Sequence, residues 1–77
     1  PPESSAGAIV QQKLAEYNQK RQIRAEYFLH SAYHKALRKD FAGAIKFLEK
    51  IPEDTDAYAQ AQIKIQEYKE KQLFSIP

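Results

Sequence analysis

Between Ala8 and Arg38, apolar or small residues recur at Val10, Leu14, Tyr17, Ala25, Phe28, Ala32 and Ala36. The intervals are three and four, with Arg21 standing in the one gap, so the stripe stays in phase along the run. No glycine or proline interrupts it, and the residues between are good helix formers: Ala, Gln, Lys, Leu, Glu and Arg. The spacing predicts one long helix over Ala8–Arg38, with Ser4 or Ser5 as its N-cap. A break near Tyr17–Gln22 is the alternative, because Asn18 is the poorest helix former there.

Lys39 and Asp40 end that helix, and the Asp40 carboxylate is placed to cap the next one. The second helix, about Phe41–Lys50, carries Phe41, Ala44, Ile45, Phe47, Leu48 and Ile51. That is more than one narrow stripe, so it should be covered on two sides. Pro52 stops it. Asp54, Thr55 and Asp56 are candidate caps for a third helix over Asp56–Gln72, whose buried face is Tyr58, Ala61, Ile65 and Tyr68. Ala59, Ile63 and Gln66 lie on a neighbouring face.

No strand alternation and no hairpin dipeptide appears. The expected fold is all-α, with three to four helices: an antiparallel hairpin and a long N-terminal helix. Residues 1–7 read as a linker remnant, 8–73 as one domain and 74–77 as an apolar tail. With 77 residues a small core stabilises weakly, so the helices must pack efficiently or lean on a partner.

Composition narrows the chemistry. There is no cysteine, hence no disulfide or thiolate metal site. No apolar run reaches bilayer length and no secretory signal pattern is visible. No residue fixes the compartment; the cytoplasm is expected ahead of secretion. Methionine is absent even at position 1, so a larger parent protein is expected. Seven basic and four acidic residues fall in Pro1–Asp40, against five and six in Phe41–Pro77. That mild asymmetry suits an acidic partner.

"KDFAGAIKFLEKI" resembles the second half of a tetratricopeptide repeat, in which a turn with an acidic and an aromatic residue leads into Ala and bulky positions. Asp40, Phe41, Ala44, Leu48 and Ile51 take those places. Phe28 and Ala32 match the bulky and small positions of the first helix. Tyr58 and Ala61 would open a following repeat. The resemblance spans about Ala25–Gln72. It departs from the pattern at Pro52, which shortens the second helix, at Lys35, where an aromatic is common, and at Gln62, where a small residue is usual. It implies a non-catalytic scaffold for protein–protein contacts, with a groove lined by the first helix of each repeat. Mapped by position, that groove is Leu29 and Tyr33 with Ala59, Ile63 and Gln66.

Other chemistry is weaker. Glu26, His30 and His34, spaced i, i+4, i+8, are a candidate metal set, but the His-Glu-x-x-His signature is missing. Lys13, Lys20, Arg21, Arg24, Lys35, Arg38 and Lys39, with Tyr17, Tyr27 and Tyr33, could form a basic aromatic stripe for nucleic acid. Glu16 and Glu26 dilute it, and a solvated helix face explains it better. "PEDTD" lacks the length and the glycine of a calcium loop. No nucleophile has a base placed beside it, and no phosphate loop occurs. The expected function is therefore a protein-interaction module of a larger protein, without cofactor, binding a peptide or partner helix. Homo-oligomerisation through the first helix is the alternative, and a basic nucleic-acid binder the weakest.

Overall fold

A computed structural model describes the backbone of residues 2–74 and the side chains of residues 7–74. Three helices follow one another: α1 (Pro2–Leu37), α2 (Phe41–Glu49) and α3 (Ala57–Phe74). No strand occurs among the described residues. No helix there is long and apolar enough to cross a membrane. The chain reverses twice. Lys35 at the end of α1 lies beside Asp40 at the start of α2, and Phe28, further back, meets Phe47 near the end of α2. Phe41 then meets Tyr68, so α2 and α3 are antiparallel as well. The molecule measures 69 × 17 × 12 Å, with a radius of gyration of 17.6 Å. A globule of this length would have roughly 11–12 Å.

α1 begins at Pro2, not at Ala8, so residues 2–7 are helical and Ser4 and Ser5 lie inside the helix rather than at its cap. Proline suits a first helical position, where its missing N–H has no partner to lose, and Ala6 and Ala8 extend the helix. The helix is continuous through Asn18.

Its end is a Schellman turn. Lys39 adopts a left-handed φ of 63°. The Lys39 amide donates to the Ala36 carbonyl at 2.9 Å, and the Asp40 amide to the Lys35 carbonyl at 2.9 Å. Asp40 then caps α2, accepting a hydrogen bond from the Gly43 amide at 3.0 Å. Gly43 leaves the room for this: a Cβ there would come within 2.5 Å of Asp40 Oδ2.

α2 lies between α1 and α3, covered on two sides as its residue pattern requires. The buried core is Ala25 and Ala32 of α1, Ala44, Ile45 and Leu48 of α2, Ile51, and Ala57, Ala61, Ile65 and Tyr68 of α3. Five of these ten are alanines, which lets the helix axes approach closely around Leu48. Phe28, Phe41, Phe47 and Tyr58 pack partly buried around them.

The connection 50–56 differs from expectation. Asp54 does not cap α3. Its carboxylate takes both terminal nitrogens of the Arg21 guanidinium, across the molecule on α1. Next to it, the Asp56 amide donates to Gln22 Oε1 at 3.0 Å. Thr55, the buried polar residue, turns inward and its hydroxyl donates to the Pro52 carbonyl at 2.8 Å.

Above Arg21 the body stops. Every side chain from Gly7 to Lys20 is exposed, including Val10, Leu14 and Tyr17 of the predicted stripe. The stripe is present, but its first half meets no other helix. At the other end α3 runs on to Phe74, so that residue belongs to a helix rather than to a separate tail. The rest of the expected apolar tail, residues 75–77, lies outside the described residues.

Candidate functional site

α1 and α3 each pack on α2 more closely than on each other. The space this leaves is an apolar cleft of about 290 Å³. Leu29, His30, Ala32 and Tyr33 of α1 line one wall, Gln60, Lys64 and Tyr68 of α3 the other, and Leu48 of α2 lies at its base. Ala32, Leu48 and Tyr68 are core residues. Leu29 is half-buried, whereas the Tyr33 side chain is 53% exposed. An aromatic left this open beside an apolar cleft is available to a ligand.

The polar groups of the cleft are few. Lys64 Nζ donates to Glu67 Oε2 at 3.0 Å, and Lys71 Nζ lies 3.4 Å from Glu67 Oε1. The hydrogen bond to Glu67 is the main reason the Lys64 ammonium is held above its usual pKa. The same bond, with help from Lys71, holds the Glu67 carboxyl below the usual carboxylate range. The α3 wall therefore carries a locally neutralised pair.

Of the five residues mapped from the sequence, Leu29 and Tyr33 line this cleft. Ala59, Ile63 and Gln66 do not. Ala59 and Ile63 are exposed elsewhere on α3, and Gln66 borders a separate shallow depression with Glu49, Pro52, Tyr58 and Lys69. The reason is rotational. Ile63 precedes Lys64 by one residue, about 100° around the helix. The buried stripe Ala57–Ala61–Ile65–Tyr68 identifies which face is inward. It does not say which flank turns towards α1. Gln60 and Lys64 were missed for that reason; the ion pair from Lys64 to Glu67 was the available hint.

The candidate metal set does not assemble. Glu26, His30 and His34 are all exposed, and no three His, Cys, Asp or Glu side chains come together among the described residues. Residues i and i+8 are separated by about 12 Å of helix rise, too far to share one ion.

A second feature lies where the free half of α1 meets the body. Tyr17, Lys20, Arg21, Arg24, Phe28, Lys50 and Pro52 surround an open recess of about 690 Å³. The Arg21 guanidinium lies 5.6 Å from the Tyr17 ring centre, and Lys50 Nζ stands over Phe28 at 5.7 Å and Phe47 at 5.3 Å. Compared with protein-family models, curated proteins and solved structures, the chain matches none of them.

Proposed function

We propose that this chain is a non-catalytic protein-interaction module, and that it binds a peptide or partner helix in the cleft between α1 and α3. The observation that carries this reading is the open apolar cleft built from two helices, with Tyr33 exposed at its wall. Its volume sits at the small end of ligand pockets, which run about 300–1,000 Å³, so it suits one bulky apolar side chain used as an anchor. The likeness of "KDFAGAIKFLEKI" to a tetratricopeptide repeat supports the same reading, since such repeats bind peptides on the faces of their first helices. The contact set is Leu29, Tyr33, Gln60 and Lys64. Phe28, Ala32, Ala44, Leu48, Ala61 and Ile65 hold the fold.

The test is selection from a displayed random-peptide library, followed by fluorescence anisotropy on the peptides recovered. Tyr33→Glu should abolish their binding, and Ile63→Glu, outside the cleft, should leave it intact. A library that yields no binder, or binders equally indifferent to both substitutions, would refute the cleft as the site.

A further inference from the structure

The first half of α1 is a helix face with nothing on it. Ile9, Val10, Leu14 and Tyr17 are 55–60% exposed, and residues 7–20 are exposed throughout. These fourteen positions cover about 21 Å of helix. Val10, Leu14 and Tyr17 continue the line of Ala25, Phe28 and Ala32, which α2 and α3 cover lower down. The uncovered stripe is thus an extension of the packed one. It ends against Lys50 and Pro52, where α2 stops.

One edge of this face is cationic. By helical spacing Lys13, Lys20 and Arg24 lie on the same flank of the stripe, with Glu16 beside them, and Lys50 closes its lower end. None of the four forms an ion pair among the described residues. Arg21, at the centre, is already answered by Asp54. No acidic residue lines the recess between Tyr17 and Pro52.

We infer that residues 7–24 of α1 are the docking face for an acidic amphipathic helix of a protein partner. Its apolar stripe would cover Val10, Leu14 and Tyr17 with knobs at spacings of three and four. Its carboxylates would meet Lys13, Lys20, Arg24 and Lys50. It would lie along α1 beyond the end of α2. This reading is independent of the α1–α3 cleft.

Two other occupants fit less well. A second copy of α1 would bring its own four cations and one carboxylate between residues 7 and 24 against the same set. Single-stranded nucleic acid needs free rings to stack on. Phe28 is occupied by Phe47, Tyr27 and Lys50, and Tyr17 carries Arg21. The Ile9–Leu14 part offers phosphates little beyond Lys13.

The test uses the full chain and three labelled synthetic peptides: an acidic helix with Leu at heptad seam positions and Glu beside them, its scrambled sequence, and its Lys counterpart. A single-stranded oligothymidine is the fourth probe, and binding is read by fluorescence anisotropy. The acidic helix should bind at least about tenfold tighter than the scrambled and basic peptides, and Lys20→Glu/Arg24→Glu should weaken it by about tenfold or more. Leu14→Ser should weaken it too, while Tyr33→Glu should not. All these positions are exposed, and circular dichroism is the control that each variant is folded. Equal binding of acidic and scrambled peptides, tighter binding of the oligonucleotide, or a concentration-dependent dimer in sedimentation that Leu14→Ser dissolves would each overturn the proposal.

Discussion

The guanidinium of Arg21 holds both carboxylate oxygens of Asp54, a residue 33 positions further along the chain. The neighbouring Gln22 accepts the Asp56 amide. Consecutive residues of α1 therefore fasten the α2–α3 connection at one height. Below that line the helices are packed; above it α1 stands alone.

The pair should show in acid. The hydrogen bond from Arg21 is the main cause that holds the Asp54 carboxyl below its usual range in the folded chain. Folding strengthened in this way is fully present at neutral pH and is lost as pH falls through the depressed folded value. The melting temperature of the wild type should drop below about pH 4, the ordinary carboxyl range. Asp54→Asn should melt lower at neutral pH and lose less on acidification. Glu67 is depressed by Lys64 in the same direction, so a residual acid slope should persist. Parallel melting curves for the two proteins across this range would show that the pair does not contribute.

The start of α2 rests on Asp40 and Gly43. Removing the cap by Asp40→Ala should cost about 1 kcal/mol in urea unfolding. Gly43→Ala would ordinarily help a helix by about 1 kcal/mol. Here the added methyl would press on the Asp40 carboxylate, so the variant should be no more stable than the wild type. In the Asp40→Ala background the clash is gone, and the same substitution should stabilise. A cycle in which Gly43→Ala stabilises both backgrounds equally would contradict the close approach.

Lys39 occupies a conformation that glycine adopts without strain. Its two neighbouring amide bonds already close the turn, so nothing except the side chain opposes it. Lys39→Gly should raise stability by roughly 0.5–1 kcal/mol, read as a higher urea midpoint with an unchanged slope.

Ala44 is fully buried where α2 meets its neighbours. A larger side chain has no space there, and Ala44→Leu should destabilise by about 1–3 kcal/mol. In a chain with so few core residues that is a large share of the total. A thermal melt like that of the wild type would mean that the helices can separate at this point.

Much of this was legible in the chain. Asp40 announced its cap, and Pro52 the end of α2. Periodicity placed Ala61 and Ile65 in the interior, and the repeat-like pattern gave Ala32, Ala44 and Leu48 their packing positions. Arg21 looked like a flaw in the stripe, because its partner is a carboxylate far away in sequence and no local spacing encodes it. The same limitation affected α3. Periodicity identified its buried line, but the flank that faces α1 depends on how the helices cross, so Ile63 was chosen where Lys64 stands. The stripe through Val10, Leu14 and Tyr17 was legible, but its exposure was not, because a pattern shows where a helix is sticky, not whether anything sticks to it.

The unbroken course of α1 makes the molecule a ruler as well as a scaffold. Leu14 and Tyr33 stand on one rigid rod, about 28 Å apart along its axis. Their angular relation is set by residue count alone. Inserting one residue between Tyr17 and Arg21 would swing the upper half by about 100° relative to the cleft. Inserting seven would nearly restore its bearing and lift it by about 10 Å. Anything gripping the upper half is therefore held at a fixed distance and bearing from whatever occupies the lower one.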